Sequence, residues 1–211
     1  MKKEQERTLT PAEQRRLEGF QAISRQLEQE GWQQRDLTVG VVYANVMALV
    51  TTLPICLLFV WLFFAVDRDV AFRPFGPLTM LLFFALFFVL IVVHEGIHGL
   101  TWSLFTSEGW KSIEFGFIAK YLTPYCTCRE PLGRTAYVLG LLMPMLTLGI
   151  LPAVAGVLTG SFFTLAIGLV MIMGAGGDFT IFLKILFFRS SAKEMRFLAH
   201  PTQVGLVVFT R

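Results

Sequence analysis

Hydrophobic and polar positions divide this chain into blocks of sharply different texture. Residues 1–36 are polar, with seven Lys/Arg and seven Asp/Glu. Within them, Thr10-Pro11-Ala12-Glu13 has the form of a capping box with proline at the first helical position. Leu17, Phe20, Ile23 and Leu27 follow at helical spacing, and Gly31 marks a stop. A short amphipathic helix is expected here, lying on the protein or on a membrane surface. Leu37–Val66 then carries no charge, nor does Pro74–Val93, and Thr135–Gly177 runs for 43 residues without one. One bilayer crossing takes about 20 residues, so this last block holds two, divided at Thr159-Gly160-Ser161. The predicted spans are residues 40–66, 77–104, 135–158 and 162–188. The chain divides accordingly into an N-terminal segment (1–36), a four-span domain (37–188) and a tail (189–211).

Lys111–Arg134 does not read as a span. Ile113, Phe115 and Phe117 alternate with Ser112, Glu114 and Gly116, the period of a half-buried strand. Tyr121–Thr127 offers a second strand, interrupted by Pro124. A hairpin or re-entrant loop beside the bundle fits this pattern, and so does a plain connector. The expected fold class is an all-α membrane protein of about four transmembrane helices, with a short strand-like or re-entrant segment between the second and third.

Composition sharpens this reading. Hydrophobic residues make up 55% of the chain and charged residues 16%, against about 45–50% and 25% in soluble domains. The net charge of +3 says little, but its distribution is informative. Of eighteen Lys/Arg, only Arg68 and Arg73 fall in the first connection and none at 159–161. The other sixteen lie on the opposite side, which predicts cytoplasmic termini in a multi-pass protein of the cell membrane. No cleavable signal peptide is expected, because some 36 polar residues precede the first span. Cys56, Cys126 and Cys128 are odd in number and one lies within a span, so no disulfide framework is expected. Cys126-Thr-Cys128 lacks the second pair of a zinc clip and reads as an ordinary loop pair.

The second span ends in His94-Glu95-Gly96-Ile97-His98. On a helix, positions i and i+4 share a face, so two imidazoles converge on one metal ion and Glu95 lies beside its water as general base. An open catalytic zinc site needs a third protein ligand. Apart from Glu95, the only carboxylate in the spans is Asp178, in Gly174-Ala-Gly-Gly-Asp178. His94 and Asp178 each come about 16 residues after their spans begin, roughly 24 Å deep from the outer side. Two parallel helices thus set His94, His98 and Asp178 in one layer, and the three glycines clear side chains that would hold helices apart. A protonated Asp178 bonded to a neighbour and a structural histidine pair are the other readings. His200 lies beyond the last span, next to Pro201, and is not expected to be a ligand. Tyr43, Asn45, Thr51 and Thr52 in the first span face the bundle or satisfy backbone groups. Pro144 and Pro152 are expected to kink the third.

An HExxH in a membrane helix, a strand-like loop and an Asp in a later helix resemble the site-2 protease class of intramembrane metalloproteases. A closer resemblance is to a zincin-peptidase family of small bacterial membrane proteins, a domain of unknown function. It is carried by His94–Gly99, Glu114–Phe117, Cys128–Leu132, Gly177-Asp178 and His200–Gly205, across about residues 40–207. The resemblance implies Zn2+ held by His94, His98 and Asp178, with Glu95 activating water. One departure is that Asp178 is followed by Phe179, where site-2 proteases carry Asp-Gly. The expected function is intramembrane zinc-dependent hydrolysis of peptide bonds. The expected partners are the lipid bilayer and a membrane protein or peptide substrate, with no nucleic acid. The alternatives are a catalytically inactive binding or regulatory protein of the same fold and a metal transporter. Three ligands in one layer give a transporter no chain of sites across the bilayer.

Overall fold

The structure is a computed structural model that describes residues 9–66, 75–118 and 123–211. The first connection, with Arg68 and Arg73, and the start of the second expected strand at Tyr121 and Leu122 lie outside the described residues. The N-terminal helix α1 spans Pro11–Gln29, and the capping box forms as the sequence predicts. The Thr10 hydroxyl accepts from the Glu13 N–H, and the Glu13 carboxylate accepts from the Thr10 N–H at 2.9 Å. Strand β1 (Gln33–Asp36) follows.

Helices α2 (Val41–Val66) and α3 (Pro77–Ser103) are each long and apolar enough to cross a membrane. So is the run Arg134–Thr159. It comprises α4 (Arg134–Pro144), a wide π turn (Met145–Ile150) and α5 (Leu151–Thr159). The expected proline kinks are absorbed in this wide turn, set between Pro144 and Pro152. Proline has no N–H to give its helix, and a π turn re-pairs the carbonyls left over. Gly160, with φ of 64°, then reverses the chain, and the Ser161 hydroxyl caps the next helix at the Thr164 N–H. That return closes tightly: a Cβ on Gly156 would sit 2.4 Å from the Leu165 nitrogen, and one on Gly168 2.5 Å from the Ala153 nitrogen.

The fourth expected span is not one straight helix. It is α6 (Phe162–Gly174) and α7 (Gly176–Phe187), bent by 52° at Ala175. Gly176 permits the neighbouring contact, since its Cβ would stand 2.7 Å from that of Ala48 on α2. Among the glycines of Gly174-Ala-Gly-Gly, only Gly176 serves close helix approach. A Cβ on Gly174 or Gly177 would meet nothing within 4 Å. The bend places Asp178 in the first turn of α7, where a helix N-terminus favours negative charge.

Between the second and third long helices, β2 (Ile113–Ile118) pairs antiparallel with β3 (Thr123–Cys128) as a hairpin, not a plain connector. The tail folds back onto the bundle as part of a sheet. Residues 195–199 (β4) and 206–210 (β5) form a three-stranded sheet with β1, in the order β1-β5-β4. The central strand is buried on both faces. Leu206 and Val208 face the bundle with Tyr137, Ile185 and Phe197, while Val207 and Phe209 face Trp32, Phe20, Ile23 and Leu27. Helix α1 therefore covers the protein, with the sheet sandwiched beneath it. The fold is mostly helical with two small sheets.

Candidate metal centre

Helix α3 supplies the two histidines from one face. His94 and His98 are buried, and their Nε2 atoms lie 3.2 Å apart. Asp178 closes the triangle from α7: its Oδ2 is 3.2 Å from His94 Nε2 and 3.4 Å from His98 Nε2. Ligand atoms about 2.0–2.1 Å from a tetrahedral zinc stand about 3.3–3.4 Å from one another. The three separations fit three corners of such a tetrahedron. The donor set of two imidazoles and one carboxylate is also that of an open zinc site. Only one side of the cluster is accessible, because the Asp178 side chain is 26% exposed and those of His94 and His98 are 9% and 4%.

The next layer fixes the histidines. His98 Nδ1 lies 2.7 Å from the Gly140 carbonyl of α4, which can only accept, so Nδ1 carries the proton and the Nε2 lone pair is free. The Trp102 indole stacks on the His98 ring at 5.1 Å and 15°, and its Nε1 donates to the Tyr137 carbonyl at 3.3 Å. Gly140 makes room for that indole, since a Cβ there would fall 1.8 Å from Trp102 Nε1. The spacing of the motif announces the ligands, but nothing in the sequence marks Gly140 or Trp102.

Glu95 follows His94 on α3 and lies between the cluster and the hairpin, within electrostatic reach of His94, His98 and Asp178 and beside the main-chain N–H of Cys126. The hairpin lies this close because Gly99 has no side chain: a Cβ there would be 2.7 Å from Phe115 Cζ and 2.9 Å from Ile113 Cγ2. Arg129 N–H bonds the Ser112 carbonyl, so odd-numbered residues of β3 pair with β2 and even-numbered ones turn their main chain outward. The strand beside Glu95 is thus β3, the return strand. Burial pushes the Cys126 thiol up, with the Glu95 charge adding to it, and burial pushes Cys128 up to about 11. Both remain neutral thiols near pH 7, and neither joins the metal-ligating group. His200 also stands apart, its Nδ1 accepting from the Thr202 and Gln203 N–H groups and its ring packed 5.6 Å from that of Phe20. Burial lowers its pKa.

A cleft of ≈ 2670 Å³ leads to the accessible side of the cluster. Its walls are α1, the first turns of α2, strand β3 and the turn after β4, and Gly177 and Asp178 line it as well.

Residues 87–193, just over half of the chain, match the protein family described as "Putative zincin peptidase". The matched segment contains His94, Glu95, His98 and Asp178 together with the hairpin. No curated protein and no solved structure matches the chain.

Proposed function

The chain belongs to this zincin-peptidase family, and from that premise we propose that it is a zinc-dependent metallopeptidase working within the membrane, of site-2 protease type. The observation that carries the reading is the convergence of His94, His98 and Asp178 on one point, with separations of 3.2–3.4 Å. Family membership supports metallopeptidase activity. The apolar outer half of α3, with Leu78, Leu81, Phe88 and Val92 exposed, supports a bilayer around it.

His94, His98 and Asp178 would hold the zinc. When bound, the metal supplies Lewis acidity and brings the pKa of its water to about 7. The chain's own groups do the rest. Gly140 holds His98 in the tautomer that leaves Nε2 unprotonated. The Cys126 N–H steadies the Glu95 carboxylate, which accepts a proton from the attacking water and returns it to the departing amine nitrogen. A substrate helix must unwind first, because its carbonyls are already bonded within the helix. The outward main-chain carbonyls of β3 offer the unwound segment acceptors along that edge. In this reading the excess of Lys and Arg puts the termini in the cytoplasm and the site towards that face.

The test is zinc content of the purified protein together with cleavage of a co-expressed single-span membrane reporter. Stoichiometric zinc with cleavage that disappears in Glu95→Gln supports the reading. Zinc without cleavage in the wild type favours a non-proteolytic binding or regulatory protein.

A further inference from the structure

Polar side chains on the long apolar helices mostly satisfy themselves. Thr51, Thr52, Thr101, Thr147 and Thr180 each donate to a carbonyl four residues back. Asn45 on α2 does not: it is exposed, and its carboxamide makes no hydrogen bond to any described residue. It lies on the helix face of Val41, Ala44 and Ala48, and all four residues line the cleft.

Its level along α2 follows from two contacts. Ala48 meets Gly176, and the Leu37 and Thr38 carbonyls accept from Lys184 Nζ at 2.9 and 3.2 Å. Helices α2 and α7 therefore run antiparallel, and Asn45 stands about level with Asp178. Across the cleft is β3, with the main chain of Cys126 turned outward.

A carboxamide presents a donor and an acceptor side by side in one plane. That is the complement of one residue of extended main chain, whereas a helical segment has no such pair free. We infer that Asn45 holds the main chain of the substrate, so that the cleft takes an extended peptide segment lying between α2 and β3 past Asp178. The inference rests on the peptidase reading and assigns Asn45 a positioning role.

The experiment uses the full chain in detergent with zinc. The probe is a tagged single-span Leu/Ala reporter carrying a Gly-Pro break at its cytoplasmic end. Asn45→Leu should raise KM about 3- to 10-fold, the scale of a hydrogen-bond pair to the main chain, with kcat changed less. Asn45→Gln should restore part of the loss, and zinc per protein should be unchanged in both. A benzophenone side chain placed at Val41, in the Glu95→Gln background, should capture the reporter, and Asn45→Leu should weaken that capture. The same group at Val46, exposed but outside the cleft, should capture little. Unchanged KM and unchanged capture in Asn45→Leu would overturn the inference while leaving the peptidase standing. Capture at Val41 that depends on Asn45, without cleavage by the wild type, would retain the peptide groove and remove the peptidase. Absence of both would remove both.

Discussion

His98 and Gly140 are joined by a hydrogen bond of 2.7 Å from Nδ1 to the carbonyl oxygen, across 42 residues of sequence. This contact couples the packing of α3 on α4 to the chemistry of the candidate metal centre. It sets which ring nitrogen is free, and the same glycine leaves room for the indole that stacks on the ring.

Gly140→Ala should therefore damage metal binding without touching a ligand. The new Cβ collides with Trp102, and either the indole or the helix must move away from His98. Loss of such supporting contacts typically costs about 10–100-fold in metal affinity. Competition with a zinc chelator on folded, detergent-purified protein measures it. An affinity equal to the wild type would show that the orientation of His98 does not depend on this contact.

Glu95→Gln should keep zinc bound and lower hydrolysis by about 10²–10⁴-fold, the usual contribution of a general base. The amide preserves shape and can still meet the Cys126 N–H, but it cannot take a proton. Full activity in a folded Glu95→Gln protein would remove the assignment of Glu95.

Asp178→Ala should empty the site more completely than Asp178→Glu, and His200→Ala should leave zinc per protein unchanged. Asp178 Oδ2 reaches both histidines, while His200 is occupied with Thr202, Gln203 and Phe20. A protein that loses zinc with His200→Ala but retains it with Asp178→Ala would require a different ligand set.

Glu130 ties the turn after α3 to the hairpin, and its charge should stabilise that junction at neutral pH and cease to do so in acid. Its carboxylate accepts from the Ser107 N–H and hydroxyl, the Glu108 N–H and the Ser112 hydroxyl. Burial raises its pKa, but these donors together outweigh burial and bring it down to about 2. A carboxylate depressed on folding stabilises fully above its unfolded pKa of about 4.3. That stabilisation is lost as pH falls from there towards 2. Glu130→Gln should accelerate hydrogen exchange at residues 104–112 at pH 7, and the difference from the wild type should shrink at pH 3. Equal exchange at pH 7 would contradict the role.

The convergence of His94, His98 and Asp178 was legible because its information is periodic. His94 and His98 announce themselves by a spacing of four, and counting the rise per residue brought Asp178 to their level. The capping box of Thr10 and Glu13 and the alternation at Ile113–Phe117 are equally local signals. The bend at Ala175 was not legible, since Gly174-Ala-Gly-Gly fits a continuous apolar span as well as a broken one. Nor was the sheet joining β1 to β5. Gln33-Gln-Arg-Asp36 has the composition of a loop, and its strand exists only because Val207–Thr210 lies beside it, about 170 residues later in the chain. Asn45 was visible as an anomaly in an apolar helix, but only the fold shows that it faces a cleft.

The pairing of Asp36 with Val207 also imposes a rule of parity. An antiparallel ladder cannot form through a bilayer, so the chain must return to the side it left between residues 36 and 207. In a membrane, the number of crossings between them is therefore even, whatever the distribution of Lys and Arg. Three helices long and straight enough to cross would leave the count odd. Were all three to cross, the bent pair α6 and α7 would have to supply the balancing passage, and the corner that carries Asp178 would lie within a crossing rather than on a loop that dips in and returns.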